Sequence, residues 1–202
     1  LDYGGSVASG GGAVGGPQST VLLGSARGPS GYNVPHRFVG SYVYELPGKK
    51  LKGFVGGVLG GWQTNGILTL SSGRPFTVYL QNSVTNGAGG WPDRIKSGKL
   101  DNPTPDLWFD PTAFKAPDGP RYGNSGRGIL YGPKTKQFDM GLSKSFAFTE
   151  RWKLQFKAEA FNITNTPQFG FPNQNFDSPT AGKITSTVGD NRDMQMSLRL
   201  DF

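Results

Sequence analysis

Cysteine is absent from this 202-residue chain, and its absence removes disulfides, thiolate nucleophiles and every cysteine-based metal site. Histidine occurs once, at His36, so a Ser-His-Asp triad or a histidine-rich metal centre would depend on a single residue flanked by Pro35 and Arg37, with no carboxylate pair nearby. Catalysis is therefore not expected, and no cofactor is implied. Hydrophobic residues make up only 35% of the chain, and the mean hydropathy is -0.42. No run approaches the roughly 18 apolar residues of a membrane helix, which excludes a helical span but not a barrel one, since barrel strands need only about 10 alternating residues. A dense basic block is missing too. The net charge of +7 comes from 21 Lys and Arg against 14 Asp and Glu spread along the chain. Nucleic acid usually wants a clustered footprint and is not an expected partner, whereas anionic lipid headgroups would suit scattered basic charge. The chain opens on Leu1 without a charged and then apolar leader, so the expectation is a processed product or a piece of a longer protein.

What is abundant is glycine, proline and aromatic side chains. The chain holds 32 glycines and 15 prolines, yet its aromatic content of 12% is too high for a disordered polar segment. The clearest pattern closes the sequence. In RDMQMSLRLDF, Arg192 to Phe202, Met194, Met196, Leu198, Leu200 and Phe202 alternate with Asp193, Gln195, Ser197, Arg199 and Asp201. A strand with that period has one apolar face and one polar face. In a soluble sandwich the apolar face would meet a protein core; in an outer-membrane barrel it would meet lipid.

Taken in order, residues 1–35 are dominated by glycine and read as a loop or linker. Residues 36–46 alternate as a strand with an aromatic-rich face carrying Phe38, Tyr42 and Tyr44. Residues 49–61, basic and then apolar, predict a wide turn with one helical turn. Residues 62–80 predict one long strand, or two collinear ones broken at Ser72-Gly73-Arg74-Pro75, where proline removes a ladder donor. Residues 81–135 form a long loop with Trp91, Trp108, Phe109, Phe114, Tyr122 and Tyr131 among many glycines and prolines. Residues 136–148 and 151–163 alternate on either side of Thr149-Glu150 and predict a tight hairpin, with Lys144 the single exception on its apolar face. A second long loop, which holds a short extended piece at 183–188, leads to the terminal strand. Connections thus alternate between narrow and wide, as in outer-membrane barrels with short periplasmic turns and long outer loops. The expected fold is all-β: antiparallel up-and-down strands of a partial outer-membrane barrel, about five long strands with long loops. A closed barrel needs about eight, so remaining strands of the same barrel are expected partners.

Smaller features carry weaker chemistry. GNSGRG, Gly123 to Gly128, could form an anion-cradling nest, but it lacks the ending of a P-loop and no helix pattern follows, so turn chemistry is the expectation. Asp93, Asp101, Asp106, Asp110 and Asp118 could offer oxygens to calcium, yet their spacing matches no EF-hand. Trp91, Trp108, Phe109 and Tyr122 either pack the long loop on itself, the favoured reading, or contact a ligand such as a sugar. Trp62, Trp152, Tyr42 and Tyr44 suit an interfacial aromatic girdle, or a soluble core.

The ordered segments HRFVGSYVYELP, LGGWQTNGILTLSSGRPFTV, LWFDPTAFKAP, YGNSGRGILYGPKTKQFDMGLSKSF and ERWKLQFKAEAFNITNTPQFGFPN, followed by a terminal Phe, resemble the C-terminal barrel segment of TonB-dependent outer-membrane receptors. The likeness is greatest to the Oar-like group, which carries a carboxypeptidase-regulatory-like domain before the plug, and it spans residues 27–202. The resemblance implies a place in the bacterial outer membrane, with residues 36–202 as barrel and 81–135 as an extracellular loop. It implies a parent that imports or binds a bulky nutrient such as a glycan or peptide. It also implies that Phe202, with Leu200 and Leu198, forms a signal read by the barrel-assembly machinery. Implied partners are outer-membrane lipid, the remainder of the barrel with its plug, and the TonB complex through upstream regions, since no TonB box or plug lies in these residues. The rival reading is a soluble or surface-displayed β-sheet protein that binds ligands or self-assembles through open edges; a hydrolase on a β-scaffold is remote.

Overall fold

The structure, a computed structural model, describes residue 18 and residues 23–48, 53–81 and 90–202. Most of the glycine-rich opening and the lysines at 49, 50 and 52 therefore lie outside the described residues. In chain order the elements are β1 (Arg37–Glu45), α1 (Gly53–Leu59), β2 (Trp62–Ser71), β3 (Pro75–Phe76), β4 (Asp93–Arg94), β5 (Lys99–Thr104), β6 (Leu107–Phe109), β7 (Phe114–Lys115), β8 (Leu130–Tyr131), β9 (Thr135–Ala147), β10 (Lys153–Phe161) and β11 (Asp193–Asp201). Two 3-10 turns, Leu23–Ala26 and Pro111–Ala113, complete them. Among the described residues no helix is long and apolar enough to cross a membrane.

The chain divides into two units. One contains residues 37–71, 135–167 and 189–202 and is a five-stranded antiparallel sheet in the order β1-β2-β9-β10-β11. Taken by themselves these strands follow one another across the sheet in chain order, which is up-and-down connectivity. Their lengths of 9, 10, 13, 9 and 9 residues meet or exceed the roughly 9–11 that a tilted membrane strand needs. β9 and β10 are joined by the expected tight turn, where the N–H groups of Phe148 and Thr149 donate to the carbonyl of Trp152. Between β1 and β2 the chain forms α1, seven residues long, rather than a single helical turn. Gly60 N–H closes its last turn on Gly56 O, and Gly61, at φ 76°, takes the left-handed conformation that stops a helix.

The segment 62–80 is not one long strand: it breaks at 72–74, and β2 and β3 belong to different sheets. β2 ends at Ser71, whose neighbour Ser72 exchanges hydrogen bonds with His36: Ser72 N–H donates to His36 O at 2.9 Å, and His36 N–H to Ser72 Oγ at 3.2 Å. Pro75 offers no N–H, and β3 pairs with β8 in the other unit instead.

That second unit contains residues 72–134 and 168–188 together with the described part of 1–36. In the described part of the stretch 81–135, which alternates poorly, the strands form short antiparallel pairs, β4 with β7 and β5 with β6, while β8 pairs with β3. They close around Phe76, Val78, Phe109, Ala113, Phe114 and Leu130, with Trp108, Ile129, Phe171 and Phe176 packed against them. Phe109 stands edge-on to Phe114 at 5.9 Å, and Phe76 edge-on to Phe171 at 6.0 Å. The extended piece expected at 183–188 is reduced to one bridge, Phe169 with Thr187.

Candidate functional site

Directly opposite residues of an antiparallel pair point to the same side, so the pairing register assigns every strand residue to a face. Through Leu200↔Leu154, Leu154↔Phe146, Leu198↔Phe156, Met196↔Ala158, Ala158↔Leu142, Met140↔Gly66, Phe138↔Leu68 and Gly66↔Tyr42, one face of all five strands is apolar. The other carries Gln155 opposite Arg199 and Ser145, Glu159 opposite Gln195 and Gly141, and Asn65 opposite Gly141. The alternation of Arg192 to Phe202 is thus continued coherently across the sheet. Gly66 has a structural reason within it: a Cβ there would come within 2.5 Å of the Tyr42 ring, which lies over the gap.

The apolar face is bare. Met196 is 76% exposed, Leu198 69% and Phe38 58%, while every buried hydrophobic side chain among the described residues belongs to the other unit. Soluble monomers rarely expose contiguous apolar areas beyond a few hundred Å². The polar face is linked laterally instead: Gln195 Nε2 donates to Glu159 Oε2 at 3.0 Å, and Lys157 pairs with Glu159 at 2.7 Å.

At the end of the sheet that carries the tight turn, aromatic residues gather on the apolar face. Phe202, 87% exposed, stacks on Trp152 with ring centres 5.5 Å apart. Trp62 meets Phe156 edge-on at 5.8 Å. Lys144, opposite both Trp62 and Phe156, is the charged exception expected within this face, Lys136 standing opposite Leu70 near the other end of β9, and Lys144 is buried. Its ammonium donates to the carbonyls of Gly57 and Val58 at 2.6 and 2.7 Å and lies 4.6 Å from the Phe146 ring centre.

At the opposite end, Asn162 and Asn165 both adopt φ 48°, a conformation asparagine tolerates better than most residues. Asn162 N–H donates to Asp139 Oδ1, its amide nitrogen donates to Thr166 O, and its Oδ1 accepts from Thr166 N–H. Asn165 Oδ1 accepts from Arg192 N–H, so this turn holds the start of the last strand, a clasp that alternation alone does not signal.

In the loop unit, Trp91 and Phe109 are buried and form packing, with Phe109 in the core. Trp108 is partly buried, its indole N–H donating to Tyr131 O at 2.9 Å, and Tyr122 is exposed. The four residues therefore do not share one open surface. In GNSGRG, Ser125 N–H is spent on Pro92 O and Gly128 N–H on Thr77 Oγ1, while Gly126 and Gly128 have φ 86° and 63°, which is turn geometry. The aspartates are dispersed: Asp93 is gripped by both guanidinium nitrogens of Arg121, Asp110 caps the 3-10 turn at Pro111, Asp118 pairs with Lys115, and Asp106 with Lys183. Among the described residues no group of three or more His, Asp or Glu could hold a metal ion. The hydrogen bonds from Arg121 hold the Asp93 carboxyl below the usual carboxylate range, outweighing the opposite effect of burial.

No curated protein and no solved structure matches the chain. A family model described as outer membrane beta barrel domain matches residues 1–195. With an up-and-down sheet whose apolar face is bare and whose hydrophobic core lies in its loops, this chain belongs to the outer-membrane β-barrel domain family.

Proposed function

We propose that this outer-membrane barrel-wall chain is the C-terminal segment of a TonB-dependent receptor, of the Oar-like kind, that binds or imports a bulky nutrient such as a glycan or peptide. The observation that carries the reading is the bare apolar face extending over five strands, which in a barrel turns to lipid and leaves the polar face to the lumen. The segment's own part is structural: wall strands, outer loops and an assembly signal, without a reaction.

Two features support the finer reading. Among the described residues β1 pairs only with β2, and β11 only with β10, so the described sheet presents an unpaired edge on each side. In hydrocarbon each unsatisfied backbone group costs several kcal/mol, so further strands of the same barrel must cover these edges. The exposure of Phe202, Leu200 and Leu198 is compatible with a signal read by assembly machinery. The order of motifs along the chain supplies the link to TonB-dependent receptors.

Energised uptake tests this. Cells producing the full-length protein are offered fluorescent oligosaccharides and peptides, and accumulation should stop when TonB is deleted or the inner-membrane proton gradient is collapsed. Accumulation that persists without TonB overturns the receptor assignment while leaving the wall role intact.

A further inference from the structure

We infer that α1 is a lipid anchor lying outside the barrel wall, at the acyl-headgroup boundary of the leaflet on the turn side, with Lys144 as the positioning residue that holds it there. This rests on the barrel-wall assignment, and short turns mark the periplasmic side of such barrels.

The starting point is a lysine where a barrel wall should carry none. Register places Lys144 on the apolar face between Trp62 and Phe156, yet only 4% of it is exposed. A lysine on a lipid-facing surface ordinarily snorkels its ammonium towards water. Here the ammonium is directed into the end of α1, onto Gly57 O and Val58 O, with the rings of Phe146 and Trp62 at 4.6 and 5.5 Å. The Trp62 indole N–H adds a third bond to the same end, donating to Val58 O at 2.9 Å. Since Lys144 and Trp62 both project from the apolar face, the helix end that they grip stands on that side of the sheet.

This arrangement answers two difficulties at once. The last carbonyls of a helix lack partners within it, and in contact with hydrocarbon they would be left unsatisfied. A cation at a helix C-terminus is also favourably placed against the dipole, so the buried ammonium and the orphan carbonyls neutralise each other. A seven-residue helix has little stability of its own, which makes such external fixing necessary.

What α1 then offers outward is apolar. Its sequence GFVGGVL has no charged residue, and Val58 and Leu59 are 44% and 58% exposed. Trp152, Phe202 and Tyr44 are also exposed at this end of the sheet. The occupant that fits is phospholipid, with the apolar side chains about 5–10 Å into the headgroup-acyl boundary as for other interfacial helices.

Depth measurement by spin label is direct, because this segment contributes no cysteine of its own. In the full-length protein, refolded into vesicles of phosphatidylethanolamine and phosphatidylglycerol, nitroxides are placed singly at Leu59→Cys, Met196→Cys and Ser197→Cys. The expected result is that labels at 59 and 196 collide readily with oxygen and poorly with an aqueous nickel chelate, and that the label at 197 does the reverse. Lys144→Met should release the label at 59 into water without moving the one at 196, and Lys144→Arg should restore it. An aqueous label at 59 beside an immersed one at 196 overturns the anchor and spares the wall; an aqueous label at 196 overturns the wall assignment itself. A label at 59 that stays immersed in Lys144→Met removes Lys144 as the positioning residue. Should that variant fail to insert, the measurement with Lys144 in place still decides the anchor.

Discussion

The sheet and the loop unit draw on the same amino acids and differ in what they do with the large apolar ones. In the loop unit Phe76, Phe109 and Phe114 are enclosed, and charged groups such as Asp118 and Lys115 face outward. In the sheet the enclosed residues are Thr64, Lys144, Asn162 and glycines, while Phe38, Met196 and Leu198 are bare. The loop unit encloses its large apolar side chains, with polar groups such as Asp93 and Arg127 enclosed beside them, whereas the sheet leaves its large apolar side chains bare. The difference shows that a single chain meets two solvents, and that its stretches of poor alternation are the ones that build an ordinary core.

Four experiments on the full-length protein break or sharpen that contrast. The largest effect should come from Phe109→Ala, a fully enclosed ring whose loss costs about 3–5 kcal/mol. Hydrogen exchange should accelerate through 75–131 and remain slow in β9 and β10; joint acceleration would mean that the two units do not melt separately. Next is Met196→Arg on the apolar face, expected to cost about 2–4 kcal/mol near the bilayer midplane, against about 0.5 kcal/mol or less for Ser197→Arg on the polar face. Equal midpoints for the two in vesicle refolding would place both faces in water and dissolve the contrast. Deleting Phe202 should reduce outer-membrane yield several-fold while leaving the loop unit's exchange unaltered, and undiminished yield removes its signal role.

The smallest effect concerns pH. Because Arg121 depresses the Asp93 carboxyl, the contribution of this pair is fully present above the unfolded value of about 3.9 and is lost as pH falls through the lower folded value. Protease resistance of the loop unit should therefore be constant from neutrality to about pH 4 and fall below it. Asp93→Asn should flatten that acid step, and an unchanged step assigns it to other carboxylates.

Much of the wall was legible in the residues. Period-two alternation places β1, β9, β10 and β11 within a residue or two of their observed ends, because a face that meets one solvent requires one kind of side chain at every second position. Even the exception at Lys144 was visible, although its cause was not, since α1 and β9 come together only through the paired strands between them. The division of 62–80 was signalled by Gly73 and Pro75, but the departure of β3 to a different sheet was not, because its partner, Leu130-Tyr131, is distant in sequence. The aromatic residues of the long loop left packing and ligand contact both open. Enclosure of Trp91 and Phe109 and exposure of Tyr122 depend on which short strands pair, and pairs of two residues leave no periodic trace.

By itself, then, the amino-acid order determined the two-faced strands and their up-and-down succession, since each follows from local alternation and from turn residues between the runs. Only the tertiary structure decided that, among the described residues, the apolar residues of the loops form the hydrophobic core, that the sheet's apolar face is bare, and that a buried lysine binds the end of a short helix. Those outcomes rest on contacts between distant segments, where enclosure and ion placement are settled by what packs alongside a residue rather than by what precedes it.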